Sequence, residues 1–343
     1  MFVVFLRPCA ILLPLSTYFL PSPFPILGHR AELEALNQDL AQGNVANAYL
    51  FSGARHLGKF SVAKWFAKEL MCVGYSADEQ QALGDQIQKL LHPDLLVIDQ
   101  LWMEDKCEDF AVIAQSSNVP QQHRQKAGAK TDTISIDDVR SLQERLHEVG
   151  SGAYRCCLIR SAERMHAEAV NALLKILEEP PPGVVFLLTT ESLPSLLPTL
   201  ISRSRILHFH RLTDAELEPL MDGATDEERQ FLFRVAQGAP GIVQRLRTNP
   251  DLFRLERQAY ANALAFWHSR SAVQRLQLLS PLHTRTPEAD QFLVHLSLAF
   301  REERDQLDSS AVSHLISMCR TLETNVNRQM VTQEFVLALG EGI

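Results

Sequence analysis

The segment Gly53-Ala54-Arg55-His56-Leu57-Gly58-Lys59 spaces two glycines and a lysine as G-x-x-x-x-G-K. An apolar run, Ala48 to Ser52, precedes it, and an apolar-periodic stretch with Val62, Trp65, Phe66, Leu70 and Met71 follows. Strand, glycine turn and helix in that order give the motif its meaning. Backbone N–H groups and the helix N-terminus can cradle phosphates there, and Lys59 can reach the outer ones. The next position should carry a hydroxyl for Mg²⁺, but it is Phe60. Ser61 lies one residue late, about 100° around the helix. A phosphate-loop enzyme also needs an acid at the end of a neighbouring strand. The strand expected at Cys156–Ile159 runs instead into Arg160-Ser161. Glu163 reads as a surface residue, and Asp99 ends a different strand. Two separate losses in one machine leave a loop that looks inherited but unfit for magnesium-dependent hydrolysis.

The elements that must hold this loop follow from periodicity. Helices are expected at 30–43, 60–73, from Ser135-Ile136-Asp137-Asp138 to about His147, and at 166–178, before Pro180-Pro181-Pro182. Ser135 or Asp137 can cap the third. Strands are expected at 48–52, 95–98, 156–159, 184–190 and 206–209. Val184–Thr190 is continuously apolar, as in a parallel strand buried on both faces. Alternating strands and helices indicate a three-layer α/β domain ending near residue 210. Beyond it only helical signals remain: 213–222, 226–237, a helix after Gly238-Ala239-Pro240-Gly241, and a helical region from 250 on. Val312, Leu315, Ile316, Cys319 and Leu322 form one apolar stripe.

Composition bounds the rest. The 343 residues suit two or three packed domains. With 33 basic and 41 acidic residues, the net charge of -8 argues against a chain that grips DNA alone. Arg124, Lys126 and Lys130, in a polar loop over 115–133, read as solvated, although they could touch DNA. Six cysteines without a C-x-x-C pair suggest buried thiols in a reducing compartment. Cys156 and Cys157 should face opposite sides of their strand. Residues 1–25 are apolar but broken by five prolines and Arg7. They read as a disordered or mis-started extension, with a targeting segment as the alternative. Nothing later suggests a membrane. Glu178-Glu179 reads as a solvated helix end, and His208 and His210 have no partners at metal spacing.

TISIDDVRSLQERL, CCLIRSAERMHAEAVNALLKILEEPPPGVVFLLTT and LLPTLISRSRILHF strongly resemble the delta-prime family of bacterial DNA polymerase III clamp-loader subunits. The resemblance covers roughly residues 26–245. Its most specific parts are NALLKILEEPP, Asn171 to Pro181, and Ser202-Arg203-Ser204, where the family usually has Ser-Arg-Cys. It implies an AAA+ fold: an α/β core over 26–210, a helical lid over 211–249 and an all-helical collar over 250–343. It further implies assembly with gamma/tau motor subunits and delta, and access to the sliding clamp and primed DNA through that complex. Arg203 matches the family's arginine finger, which acts on ATP held by the adjacent subunit; Arg205 matches no such position. Gly53, Gly58 and Lys59 would then form a vestigial phosphate loop, with residual ATP or ADP binding left open. Phe60 and Arg160 agree with delta-prime subunits that do not hydrolyse ATP and disagree with the gamma/tau motors. The alternatives are an active gamma/tau-type ATPase and a stand-alone DNA-binding protein. Cytoplasmic location follows from the leading reading.

The family commonly carries a four-cysteine zinc module after the first helix of the loop; here Cys72 is the lone cysteine in that stretch. A tetrahedral zinc site needs about four ligands. Elemental analysis of purified protein is therefore expected to find no stoichiometric zinc, and one zinc per chain would contradict this.

Overall fold

The structure, a computed structural model, describes residues 26–88, 91–98, 133–148, 150, 152–303 and 309–340. The extension 1–25, Asp99, and Arg124, Lys126 and Lys130 lie outside the described residues. The chain divides into two compact units, Met1–Arg211 and Leu212–Ile343.

The first unit is built on five parallel strands: β1 (Ala48–Ser52), β2 (Leu95–Ile98), β3 (Arg155–Ile159), β4 (Val184–Thr190) and β5 (Arg205–His208). Their order is β2-β3-β4-β1-β5. In register, Ser52 lies opposite Thr190, and Ile159 opposite Leu188, so the carboxyl ends of β1, β3 and β4 reach one edge together. The four inner-sequence strands β1 to β4 are buried at every position, whereas edge strand β5 is only partly so. That is why β4 reads as an unbroken apolar run: a parallel strand covered on both faces has no polar side to present.

Helices cover both faces. On one, α4 (Ile136–Leu146), α5 (Ala167–Glu178) and α6 (Pro198–Ser202) bring Val139, Leu142, Leu173 and Leu200 onto Leu50, Ile98, Cys157, Phe186 and Leu188. On the other lies α2 (Lys59–Met71), which buries Val62, Phe66 and Leu70. Phe66 sits edge-on to Tyr49, ring centroids 5.0 Å apart. Cys156 Sγ meets the Ala67 carbonyl of α2 while Cys157 joins the opposite cluster, so the adjacent thiols do face opposite ways. Burial pushes both up, Cys157 to about 12, which makes them inert thiols. Helix α1 (Arg30–Gln42) precedes β1.

One feature departs from expectation, and another settles an open alternative. Residues Ala77–Gln88 form α3, a helix not expected in the stretch that follows Cys72. Glu79 accepts from the N–H and hydroxyl of Ser76 to start it, and Gln80 Nε2 donates to the Tyr75 carbonyl at 2.9 Å. The cap of α4 is Ser135, in a reciprocal pair with Asp138, and not Asp137.

The second unit holds α7 (Asp214–Leu217), α8 (Asp226–Ala236), α9 (Pro240–Thr248), α10 (Pro250–His268), α11 (Ala272–Leu278), α12 (Pro287–Glu303), α13 (Ser309–Leu322) and α14 (Arg328–Leu339). Phe266, Trp267, Phe300 and Phe335 form its aromatic centre, with Trp267 Nε1 donating to the Leu296 carbonyl. On α13 the buried positions are Ala311, Leu315, Met318 and Leu322, and Ile316 is exposed. The stripe expected on Val312, Ile316 and Cys319 is therefore turned by part of a turn, because Ala311 and Met318 join Leu315 and Leu322 on one seam. Among the described residues, no helix is long and apolar enough to cross a membrane.

The first unit also holds a buried ion pair that the sequence did not reveal. Asp94 precedes β2 and Arg155 begins β3; Arg155 Nε lies 3.0 Å from Asp94 Oδ1, both nearly inaccessible. The guanidinium also donates to the carbonyls of Arg145, Leu146 and Glu148, closing the end of α4. Removing one member of a buried pair leaves the other charge uncompensated. Asp94→Ala is expected to lower unfolding free energy by about 3 kcal/mol. Chemical denaturation of the two proteins measures it, and a loss below about 1 kcal/mol would show the pair to be unimportant.

Candidate functional site

The loop between β1 and α2 is held from three sides. Gly53 takes φ 156°, and a Cβ there would meet the Phe209 carbonyl at 2.4 Å, so only glycine fits. Its N–H donates to the Thr190 carbonyl at the end of β4. At the far end of the loop, Leu57 is buried and its carbonyl accepts from His29 Nε2 at 2.7 Å. A carbonyl can only accept, so this nitrogen carries the proton. His29 is itself buried, its ring 4.5 Å from that of Phe209. His56 and Gly58 both have positive φ, 60° and 88°. The loop thus curls as a phosphate-binding turn does, with His56 accepting a backbone conformation better suited to glycine.

Lys59 is the first residue of α2 and only 8 % exposed. Its Nζ donates to the carbonyls of Gly53 and Ala54, at 2.6 and 2.5 Å. Burial pushes its pKa down, while the carboxylates of Glu191 and Glu163 pull it back up. At the mouth, Arg55 Nε lies 2.7 Å from Glu191 Oε1 in an exposed ion pair.

The two positions that should hold magnesium touch one another. The Arg160 guanidinium lies over the Phe60 ring, 5.2 Å from its centroid, in cation–π geometry. Lys64 Nζ approaches the same ring at 5.9 Å. Among the described residues, no cluster of three or more His, Cys, Asp or Glu could hold a metal ion. The donor set at the loop is aromatic and cationic where Mg²⁺ wants oxygens, so the ion does not fit here.

Glu163 needs correction. It is no free surface residue: Oε1 accepts from the Glu191 N–H at 3.3 Å, and Oε2 is buried without a hydrogen-bond partner. The short 3₁₀ turn after β3, opened by Ser161 at φ 57°, swings it back toward the loop. Thr189 and Thr190 were also missed. Thr189 Oγ1 accepts from the Ser161 N–H, tying the ends of β3 and β4. Two hydroxyls ending an otherwise apolar strand were the available signal.

Arg203 stands elsewhere on the unit. It caps the carboxyl end of α6, just before β5. Its Nη2 lies 2.8 Å from Glu178 Oε1 on α5, and Nη1 donates to the Thr199 carbonyl. Glu178 is therefore paired and not simply solvated. The side chain of Arg203 is 38 % exposed, and neither partner belongs to the loop. Arg205, two residues on, serves the opposite purpose. It pairs with the buried Asp39 of α1, which also accepts from Tyr49 Oη at 2.9 Å. Burial and the neighbouring Asp39 carboxylate hold the Tyr49 phenol well above its ordinary pKa. His208 is exposed in β5, and His210 follows it.

A parallel five-stranded sheet in this order, with a phosphate loop after β1, defines an α/β AAA+ fold. A sequence-family profile described as "DNA polymerase III, delta subunit" matches residues 28–213, more than half of the chain. The chain belongs to this clamp-loader family. It is 28% identical to the DNA polymerase III subunit tau of Escherichia coli (strain K12) over 226 residues, 62% of this chain and 30% of that one. It is 27% identical to the DNA polymerase III subunit delta' of Bacillus subtilis (strain 168) over 191 residues, 54% of this chain and 49% of that one. The chain thus spans about a third of the length of such tau relatives. A gamma subunit-related protein of Thermotoga maritima has a similar structure, at TM-score 0.46 and 17% identity, covering 90% of this chain and 98% of that one.

The contrast between the two arginines can be measured without any partner. Arg205→Ala strands a buried carboxylate and is expected to destabilise by about 2 kcal/mol. Arg203→Ala breaks an exposed pair and should cost less than about 1 kcal/mol. Denaturant midpoints test this; equal losses would contradict the assignment.

Proposed function

We propose that this chain is a delta-prime-type clamp-loader subunit, which completes a ring with gamma/tau motor and delta subunits, does not hydrolyse ATP itself, and supplies Arg203 in trans. In this reading the ring loads a sliding clamp on primed DNA in the cytoplasm, and the helical collar over 250–343 contributes the packing surfaces for assembly. The observation that carries the proposal is the Arg160–Phe60 contact. A cation stacked on an aromatic ring at the magnesium position cannot orient a metal-bound triphosphate for attack. An arginine at the domain edge then has no hydrolysis to assist on its own loop. Its pair with Glu178 is exposed and cheap to break, so the guanidinium can be handed to a neighbour's nucleotide. Its planar fork suits phosphate oxygens better than an ammonium does.

A second reading, an active gamma/tau-type motor, draws on the tau relatives, which match over 226 and 235 residues against 191 for the delta' relative. The loop chemistry opposes it. Both readings meet in one experiment. Purified chain should show no magnesium-dependent ATP turnover. In a reconstituted complex, Arg203→Ala should assemble yet lower DNA-stimulated ATPase by about 10³-fold, the lower end for arginine fingers. Arg203→Lys should rescue poorly, and Arg140→Ala, removing a solvated arginine of α4, should change little. Turnover by the lone chain that Lys59→Ala abolishes would favour the motor. An Arg203→Ala complex as active as wild type would remove the finger.

A further inference from the structure

We propose, on the reading of Arg203 as an arginine finger, that Glu178 stows its guanidinium within this chain and sets the threshold for its release to a neighbouring subunit's nucleotide. Two anions compete for one edge of that guanidinium. Nη2 lies 2.8 Å from Glu178 Oε1, on an edge that a phosphate oxygen would also take. Nη1 is engaged separately, donating to the Thr199 carbonyl one turn back in α6. The side chain is thus tethered by its own helix through one nitrogen and by a carboxylate of α5 through the other. A phosphate docking on the Nη2 edge must displace that carboxylate, while the Thr199 contact can stay and act as a pivot.

Both partners have a fixed base and an accessible end. Glu178 is the last residue of α5, which buries Leu173, Ile176 and Leu177, and Leu200 of α6 joins the same core cluster. The Arg203 backbone N–H donates to the Leu200 carbonyl at 3.3 Å. The two side chains are 38% and 55% exposed, so the pair opens without disturbing the core. The place of the acid gives the pair a second cause. The carboxyl end of a helix carries partial negative charge, so a carboxylate there is disfavoured and a cation is favoured. Helix α5 nevertheless ends in Glu178-Glu179 before Pro180. Arg203 brings to this terminus, from another element, the cation it lacks. The same negative potential opposes an approaching phosphate. Release therefore waits until the neighbour's site offers the guanidinium more than one carboxylate does.

The experiment uses the reconstituted complex, with ATP turnover measured with and without primed DNA. Glu178→Gln keeps the length of the side chain and removes its charge. It is expected to raise DNA-free turnover at limiting ATP about two- to fivefold, the weight of an exposed ion pair. The ratio by which DNA stimulates turnover should fall accordingly, and Glu178→Ala should act in the same direction. In an Arg203→Ala background Glu178→Gln should change nothing, because the group it restrains is gone. Raising the salt concentration should narrow the gap between wild type and Glu178→Gln, since an exposed pair is screened. Gel filtration establishes that each variant assembles. If Glu178→Gln leaves DNA-free turnover unchanged while Arg203→Ala lowers the stimulated rate, the finger stands and the latch falls. A loss of turnover in Glu178→Gln would make the carboxylate a support that presents the finger, and overturns the proposal. A gain that survives in the Arg203→Ala background also overturns it, since Glu178 would then act through another group. An Arg203→Ala complex with wild-type turnover removes finger and latch together, and that single variant reports it.

Discussion

The five described strands all run in one direction, and the rest of the first unit depends on that constraint. Parallel pairing sends every carboxyl end to the same edge of the sheet. The register of β1 against β4 puts Ser52 beside Thr190, and β3 against β4 puts Ile159 beside Leu188. The phosphate loop, Arg160, Thr189 and Glu191 are therefore neighbours although they are far apart in sequence. A slip of one residue in either pairing would move Arg160 off the Phe60 ring and turn buried side chains outward. The continuous apolar character of β1 to β4 makes such a slip costly.

Electrostatics at that edge are nearly balanced. Lys59, Arg55 and Arg160 face Glu163 and Glu191, and Lys59 feels all four of the others. At the two positions where a phosphate-loop enzyme carries oxygen donors for magnesium, this chain has Phe60 and Arg160 in contact with one another. The site holds its cations beside aromatic and carboxylate neighbours, with Glu163 folded in from a position that seemed peripheral.

The sequence disclosed the elements well because long apolar runs and proline stops are local signals. Val184–Thr190 and the helix ending before Pro180 needed no tertiary knowledge. The unusual residue types at Phe60 and Arg160 were equally legible, since the motif alone fixes which positions to inspect. What stayed hidden depends on contacts across the fold. His29 gives no hint that it grips Leu57, 28 residues away. The Asp94–Arg155 pair spans a segment whose length says nothing of sheet order. Helix α3 gives a weak apolar pattern in sequence, and its start rests on the local Ser76–Glu79 contacts. On α13, two registers of apolar residues overlap, and only packing chooses between them.

Arg205 bears on how far its neighbour can be trusted to reach. Asp39, buried and also bonded to Tyr49, fastens β5 to α1 and to the sheet. The backbone at residue 205 is pinned from two elements, and Arg203 leaves the chain two residues earlier, at the last turn of α6. Its base is thus fixed by neighbouring elements, while its tip is partly exposed and paired with Glu178 and the Thr199 carbonyl. In the role proposed for Arg203, contacts to a transition state would tolerate errors of only about 0.5 Å. A lever of this kind has its accuracy set at the pivot. Wear at the pivot would blur every stroke at the tip without altering a single atom of the tip itself.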